Sequence, residues 1–147
     1  MIKKIKIAIT GSNGTLGRRF KKIYKNYSYK SLDFDITNKS KVKKWIKKNN
    51  FDIFIHFAAI VPTNQVERDK NRALKVNYYG TKFIVDSLLN KKGNFFFFYA
   101  STSHVYNFSK NKLKENSKAK PINYYGRTKL MAEKYIKKNM KNIPYAI

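Results

Sequence analysis

Apolar residues along this chain form short, nearly continuous runs that alternate with longer stretches in which apolar positions recur every three or four residues. The short runs are typical of strands covered on both faces, and the longer pattern is typical of amphipathic helices. Strands are predicted at residues 2–10, 29–34, 51–59, 94–101 and 144–147. Helices are predicted at 15–26, 39–49, from about 65 to 91 and at 124–140, with a polar loop over 102–121.

Strands that alternate with helices specify a parallel sheet with right-handed crossovers. We therefore predict an α/β fold, a Rossmann-like doubly wound parallel sheet with helices on both faces, in one domain over residues 1–147. The residues expected to face the core from the helices are Leu16, Phe20, Ile23, Tyr24, Val42, Trp45, Ile46, Leu130, Ala132, Tyr135 and Ile136. Ligands of such sheets bind beyond the carboxyl ends of the strands.

Composition narrows the class of protein. The 147 residues include no cysteine, which excludes disulfides and thiolate chemistry, and we expect no metal site. The apolar runs are too short to span a bilayer, and the basic start lacks the long apolar segment of a signal peptide. We expect a cytoplasmic protein that does not bind membranes.

The net charge of +25 raises the alternative of a nucleic-acid-binding protein. The lysines are scattered over every predicted helix and loop, and no zinc-finger or RNA-binding aromatic motif is present. Lys, Asn, Ile, Tyr and Phe are abundant together, as an AT-rich coding sequence would produce. The charge is therefore interpreted as solvated surface, and no specific nucleic-acid partner is expected.

A glycine-rich turn follows the first predicted strand. Gly11 suits a tight turn, Gly14 leaves room for a bound group, and Gly17 allows close packing of helix and strand. The free amides of Gly14, Thr15 and Leu16 would point at an anion at the positive end of the helix dipole. The turn predicts a pyrophosphate cradle for a dinucleotide.

Carboxylates follow the second predicted strand. Asp33 stands at the distance from the glycine turn at which a carboxylate can accept hydrogen bonds from the adenosine ribose. Because no arginine follows it, NAD is favoured, with NADP kept as an alternative. Asp33 and Asp35 could also be ordinary loop carboxylates.

Tyr125 and Lys129 lie on one face of the last predicted helix. A phenol has an unperturbed pKa of about 10, and a neighbouring ammonium makes it a usable acid or base near neutrality. Such a spacing arises by chance in a chain rich in both residues. Its position after a strand that ends near Thr102 favours a site, since Thr102 would supply a hydroxyl at the same edge of the sheet.

These features together resemble the ordered motifs of the extended short-chain dehydrogenase/reductases. Within them the chain is similar to nucleotide-sugar epimerases, dehydratases and the dTDP-4-dehydrorhamnose reductase group, from residue 2 to the end. The motifs are Thr10-Gly11-x-x-Gly14-x-x-Gly17, Asp35-Ile36-Thr37, Asp52-Ile53-Phe54-Ile55-His56-Phe57-Ala58-Ala59, Asn77, Ser101-Thr102-Ser103-His104-Val105-Tyr106 and Tyr125-x-x-x-Lys129.

The resemblance implies hydride transfer at the carbon of a nucleotide-activated sugar. It implies that Thr102 orients the substrate, Tyr125 is the acid/base, and Lys129 binds the nicotinamide ribose and tunes Tyr125. Asp35 and Ile36 would border the adenine, and Ala58 and Ala59 would pass close to the cofactor. The residues implied to hold the pyrophosphate are Gly11, Asn13, Gly14, Thr15, Leu16 and Gly17.

The sequence also departs from the family. Ser103 and His104 stand where dehydratases carry an acidic pair, which makes dehydration the least favoured reaction, and Asn107 stands where a glycine is common. Family members continue for roughly another domain's length, so the substrate lobe is expected to be largely absent. A non-catalytic NAD-binding module, or an inactive fragment, is therefore the alternative function. A homodimer is a further expectation.

Other polar residues have plainer interpretations. His56 is expected to be a hydrogen-bonded core histidine, and His104 a structural loop residue with a catalytic role as the alternative. Asn77 is expected either to bond backbone near the site or to lie on a helix surface. Glu133 is interpreted as a partner for lysines on the helix face.

Overall fold

In the part of the chain that the structure describes, five parallel strands form one sheet in the order β2-β1-β3-β4-β5. The structure is a computed structural model that describes residues 4–109 and 112–147. The crossover from β2 to the far side of β1 creates the switch point where ligands of such sheets bind. The strands are β1 (Lys6–Thr10), β2 (Ser28–Leu32), β3 (Ile53–His56), β4 (Phe96–Tyr99) and β5 (Tyr145–Ala146).

Helices connect the strands. They are α1 (Thr15–Ile23), α2 (Lys39–Lys48), α3 (Thr63–Arg68), α4 (Lys70–Leu74), α5 (Thr81–Leu89) and α6 (Tyr124–Asn139). A π-helical turn, Lys75–Gly80, joins α4 to α5, and a 3-10 turn, Ser103–Val105, follows β4.

The sheet has helices on both faces, as predicted. Ala8, Phe54 and Phe97 on one face pack in a core cluster with buried residues of α2, α5 and α6. Ile7, Ile9 and Ile55 on the other face pack with Phe20 of α1. The doubly wound, Rossmann-like fold is confirmed.

The helix after the glycine turn is shorter than predicted. α1 ends at Ile23, and the side chains of Leu16, Ile23 and Tyr24 are 58%, 57% and 46% exposed. Of the described helices, α1 alone packs in the cluster on this face, through Phe20, so residues on its flanks have no neighbouring helix to bury them. The prediction that Leu16, Ile23 and Tyr24 face the core was wrong.

The long helical region predicted from about residue 65 is broken. Asp69 interrupts it, because its carboxylate accepts a hydrogen bond from the backbone N–H of Arg72 and caps α4. Gly80 lies inside the region as predicted, and its missing side chain gives room to Ile36, whose Cδ1 would lie 2.7 Å from a Cβ at that position.

Predicted element ends differ from the observed ends by a few residues, which is usual for boundaries. Residues 2–3 of the first predicted strand and residues 110–111 of the predicted loop lie outside the described residues. Within 4–109 and 112–147, no helix has the length and apolar character needed to cross a bilayer.

Candidate functional site

The glycine turn is fixed by close backbone approach. Gly11 has a φ of 66°, and a Cβ on it would lie 2.7 Å from the amide nitrogen of Ala58 at the end of β3. A Cβ on Gly17 would collide with the carbonyl oxygen of Gly11. Both positions therefore require glycine to bring the turn against α1 and β3.

The start of α1 offers free amides at the carboxyl edge of the sheet. Arg18 donates the first helical hydrogen bond to the Gly14 carbonyl at 2.9 Å, so the amides of Thr15, Leu16 and Gly17 precede the helical ladder. The amide of Gly14 was predicted to be free, but it donates to the Gly11 carbonyl at 3.1 Å and closes the tight turn. Leu16 contributes its backbone here while its side chain faces solvent.

A cleft of about 500 Å³ opens beside this turn, which we name the glycine cleft. Its lining brings together the ends of β1, β2 and β3. It contains many of the predicted cofactor residues, and Thr15, Leu16 and Gly17 adjoin it in sequence. The lining residues are Gly11, Ser12, Asn13, Gly14, Leu32, Asp33, Phe34, Asp35, Ile36, Ala58, Ala59 and Val76.

The carboxylates of the glycine cleft have different local partners. Asp33 accepts a hydrogen bond of 3.0 Å from the hydroxyl of Ser12, which ties the second strand to the glycine turn. Asp35 accepts from the backbone N–H of Thr37 at 2.9 Å, as a turn carboxylate does. Ile36 is buried and forms part of the wall. Asp33 is therefore the carboxylate held by the turn itself.

A second group of predicted residues meets at the carboxyl end of β4, and we name Thr102, Tyr125 and Lys129 the tyrosine site. Thr102 caps the 3-10 turn by accepting from the backbone N–H of His104 at 3.2 Å. Tyr125 lies in the first turn of α6 and is 6% exposed. Burial raises the pKa of its phenol, and the neighbouring hydroxyl of Thr102 offsets part of that rise.

Lys129 is buried one turn further along α6. Its ammonium donates to the carbonyl oxygen of Ala100 at 2.6 Å and lies 4.0 Å from the centre of the Tyr99 ring. Burial lowers the pKa of Lys129 to about 7, and the carboxylate of Glu133 opposes that shift. The lysine is therefore held between β4 and α6 in a state that changes charge near neutral pH.

Glu133 does more than pair with lysines on the helix surface, which corrects the interpretation from the sequence. Its side chain is 9% exposed and hydrogen-bonds the hydroxyl of Ser101, while Lys137 lies 3.6 Å away. A carboxylate one turn beyond Lys129 thus links α6 to the end of β4. The signal in the sequence was the spacing of Glu133 from Lys129, which continues the same helix face.

The interpretation of His56 as a hydrogen-bonded core histidine is confirmed, and of the two alternatives for Asn77 the structure bears out the one that bonds backbone, not the helix-surface amide. His56 is 1% exposed, and its two ring nitrogens lie 2.6 Å from the hydroxyl of Thr10 and 2.9 Å from that of Thr81. Asn77 is buried and bonds both backbone groups of Ile60, at 2.8 and 3.0 Å. Asn77 thus holds the backbone that follows β3, and His56 links the side chains of Thr10 and Thr81.

His104 packs against the tyrosine site. Its ring meets that of Tyr125 edge to face at 5.8 Å between centroids, and its Nδ1 lies 2.9 Å from the side-chain nitrogen of Asn123. A Cβ on Gly126 would collide with the His104 carbonyl oxygen, so the loop can approach α6 only because that position is glycine. The structural role predicted for His104 fits these contacts.

The arrangement separates two chemical tasks along one edge of the sheet. The glycine cleft presents helix amides and a carboxylate, which suit a phosphate group and a diol. The tyrosine site presents a buried phenol beside a hydroxyl, with a buried ammonium one turn further along α6, and these groups suit proton transfer. Sequence reasoning missed Ser12, Phe34 and Val76 of the cleft, because hydroxyl and apolar wall residues carry no motif of their own.

Comparison with known proteins identifies the family of this chain. A family model described as the RmlD substrate binding domain matches residues 5–145. The solved dTDP-4-dehydrorhamnose reductase of Bacillus anthracis str. Ames, in complex with NADP, is 26% identical and covers 95% of this chain and 51% of that chain, with a TM-score of 0.84. A dTDP-4-dehydrorhamnose reductase of Clostridium acetobutylicum ATCC 824 is 30% identical and covers 92% of this chain and 50% of that chain, with a TM-score of 0.81.

A curated relative carries a different name. Methionine adenosyltransferase 2 subunit beta of Danio rerio is 26% identical over 143 residues, which are 89% of this chain and 43% of that protein. The chain thus spans about half the length of the solved reductases, and less than half of this relative. The resemblance to the dTDP-4-dehydrorhamnose reductase group is confirmed, and the chain belongs to the RmlD substrate-binding domain family.

Proposed function

We propose that this chain is the cofactor-binding part of an NAD(P)-dependent reductase or epimerase that acts on a nucleotide-activated sugar. One observation carries the proposal. Thr102, Tyr125 and Lys129 meet at the end of β4, on the same edge of the sheet as the glycine cleft. A cofactor seated in that cleft would extend toward the tyrosine site, as ligands do at the switch point of such sheets.

The residues of the glycine cleft fit a dinucleotide. A side chain on Gly11 or Gly17 would fill the space of the turn, and the amides at the start of α1 face the position of an anion. Gly11, Asn13, Gly14, Thr15, Leu16 and Gly17 would hold the pyrophosphate. Asp33 would accept from the adenosine ribose, Asp35 and Ile36 would border the adenine, and Ala58 and Ala59 would pass close to the cofactor. Asp33 favours NAD, whereas the similar reductase of Bacillus anthracis is in complex with NADP, so both remain candidates.

The cofactor supplies hydride transfer when it is bound. The work of this chain is to place the sugar and move the proton. Thr102 orients the oxygen on the reacting carbon, and Tyr125 gives that oxygen its proton or takes it away. Burial raises the pKa of Tyr125, so a positive charge beside the phenol is required for the phenolate to form near neutrality. Lys129 provides that charge in its protonated form.

Hydride exchange tests this function. The chain is mixed with NADH or NADPH and dTDP-4-dehydrorhamnose, and oxidation of the cofactor is followed at its absorbance. We expect turnover that Tyr125→Phe reduces by roughly a hundredfold or more, because it removes the proton donor. Turnover unchanged in Tyr125→Phe would contradict the acid/base role.

A second candidate is a module that binds NAD(P) without catalysis. One relative is named as a subunit of methionine adenosyltransferase and not as a sugar reductase or epimerase, which favours this candidate. Cofactor binding without turnover on dTDP-4-dehydrorhamnose or UDP-glucose supports the module, and turnover supports the enzyme. A nucleic-acid-binding function predicts instead a steeply salt-dependent affinity that survives loss of the glycine turn.

Cytoplasmic location, a homodimer and the lack of a specific nucleic-acid partner stay predictions that accompany this proposal. Sedimentation of the purified chain measures its oligomeric state.

A further inference from the structure

A line of buried hydrogen bonds runs behind the glycine cleft. Ala58 donates its backbone N–H to the Thr10 hydroxyl at 3.1 Å, and that hydroxyl lies 2.6 Å from Nδ1 of His56. Nε2 of His56 lies 2.9 Å from the hydroxyl of Thr81, which donates to the carbonyl oxygen of Asn77 at 2.8 Å. We name this line the His56 relay. Thr10, His56, Thr81 and Asn77 are each at most 1% exposed.

The hydrogen bonds of the relay have one consistent direction. The backbone carbonyl oxygen of Asn77 can only accept a hydrogen bond, so the Thr81 hydroxyl donates its proton to that oxygen. The Thr81 oxygen is then left to accept a hydrogen bond from His56. Nε2 of His56 therefore carries the ring proton, and Nδ1 accepts from Thr10. Because the Thr10 hydroxyl gives its proton to His56, its oxygen is left to accept from Ala58.

Burial keeps the histidine in this neutral state. The pKa of His56 is lowered to about 3 by burial and, to a lesser extent, by the charge of Lys129. A neutral ring with its proton on Nε2 presents one acceptor and one donor, and the relay uses both. No water or charge change is needed to satisfy the ring.

The end of the relay lies at the cofactor position. The Ala58 amide nitrogen that donates to Thr10 is the atom that a Cβ on Gly11 would approach to 2.7 Å. Ala58 also lines the glycine cleft. Thr10 and Gly11 are neighbours in the chain. The Thr10 hydroxyl holds the Ala58 backbone by a hydrogen bond, and Gly11, which has no side chain, leaves room for it.

We propose that His56 is a positioning residue for cofactor binding, acting through Thr10 to hold the Ala58 backbone against the glycine turn. The inference rests on the proposed cofactor site and goes beyond it, since the ring nitrogens of His56 lie against Thr10 and Thr81, which are not among the proposed cofactor residues. A histidine that only fills the core would not need hydrogen bonds of defined donor and acceptor at both ring nitrogens. His56 has them, from Thr10 and to Thr81.

The protonation state of the ring is the first test. The chain contains two histidines, so a sample labelled with ¹⁵N in histidine gives two ring systems, and His104 serves as the internal reference. We expect His56 to show a protonated Nε2 and an unprotonated Nδ1 at neutral pH. Thr10→Val should perturb the Nδ1 signal of His56, and Thr10→Ser should restore it. A proton on Nδ1 of His56 would overturn the proposal, with or without cofactor binding.

Cofactor affinity is the second test, measured by titration of NAD and NADP. Thr10→Val removes the hydroxyl while keeping the shape, and we expect binding roughly tenfold weaker. Thr10→Ser keeps a hydroxyl and should recover most of the affinity. Val85→Ala is the matched control, because it opens a cavity one turn from Thr81 without touching the relay. It should lower stability and leave affinity unchanged.

The outcomes separate this proposal from the proposed function. If the wild-type chain binds neither NAD nor NADP, the cofactor site is wrong, and the direction of the relay is still decided by the ring signals. If the wild type binds and Thr10→Val binds equally well, the positioning role is wrong while the site stands. Equal weakening by Val85→Ala would show that the loss follows stability alone, and would also overturn the role.

Discussion

The glycine cleft and the tyrosine site share one edge of the sheet, but the first depends on backbone groups and the second on side chains. The turn beside the cleft is made of backbone, and neither Gly11 nor the adjoining Gly17 can carry a side chain without collision. The tyrosine site is made of side chains, and burial has moved the pKa values of Tyr125 and Lys129 in opposite directions. The first site is therefore sensitive to volume, and the second to charge and pH.

This difference determines which substitutions each site tolerates. A cradle of amides tolerates almost any side chain that points to solvent, and Leu16 is an example. A buried phenol and a buried ammonium tolerate almost none, because burial, the Thr102 hydroxyl and the Glu133 carboxylate together set their pKa values.

Gly17→Ala should have the largest effect. Its Cβ would meet backbone atoms of Gly11 and Ser12, which cannot move without opening the turn. We expect a loss of about 3 kcal/mol or more in the free energy of unfolding, measured by urea denaturation. Gly14→Ala is the control, since its Cβ would come no closer than 3.3 Å to the Gly11 oxygen and should cost about 1 kcal/mol at most. Equal losses would contradict a cleft set by backbone contact.

Lys129→Met should remove a pH dependence. The folded pKa of Lys129 is lowered from 10.5 to about 7, so between these values the unfolded chain binds the proton that the folded chain releases. Stability of the wild type should therefore rise with pH across this window, by up to about 1.4 kcal/mol per pH unit. Urea unfolding at pH 7 to 9.5 measures the slope. Met at this position should flatten it, and a slope unchanged in the variant would place its origin elsewhere.

Thr15→Pro should separate binding from folding. Proline suits the first residue of a helix, and Gly14 before it has an extended conformation, with φ −75° and ψ 173°, that proline accepts. The variant loses one amide of the cradle while keeping α1. We expect stability within about 1 kcal/mol of the wild type and NAD affinity weaker by roughly tenfold. Full affinity by titration calorimetry would show that this amide does not face the phosphate.

Leu16→Ser should have the smallest effect. The side chain is 58% exposed, so its loss should change the free energy of unfolding by less than about 0.5 kcal/mol and leave NAD affinity unchanged. Phe20→Ala on the same helix is the comparison, because Phe20 packs against the sheet and its loss should destabilise by about 2 kcal/mol or more. A large effect at Leu16 would restore the core-facing role that its spacing predicted.

The sequence predicted the sheet and the two site regions because their signals are local. Apolar runs, the glycine spacing and the pair of Tyr125 and Lys129 can each be read in a short window. It did not predict the exposure of Leu16, because the number of helices on each face of the sheet is a property of the whole fold. Helical periodicity alone predicts a buried face without saying how wide it must be.

The polar residues show the same limit. Glu133 and Ser101, which are in contact, lie 32 residues apart in the sequence. The hydrogen bonds of the His56 relay link residues of β1, β3 and α5. No short window contains these pairs. His56 was expected to be hydrogen-bonded in the core, but its partners, and hence its tautomer, required the packed structure.

The uneven charge of α1 has a consequence for rates. Its first turn carries no acidic residue, and its last turn carries Lys21 and Lys22. An approaching dinucleotide thus meets no like charge in that first turn, within a molecule of net charge +25. Such a field speeds the encounter with anions and is screened over about 10 Å in 0.1 M salt. Added salt should therefore slow the arrival of a dinucleotide far more than it hastens its departure.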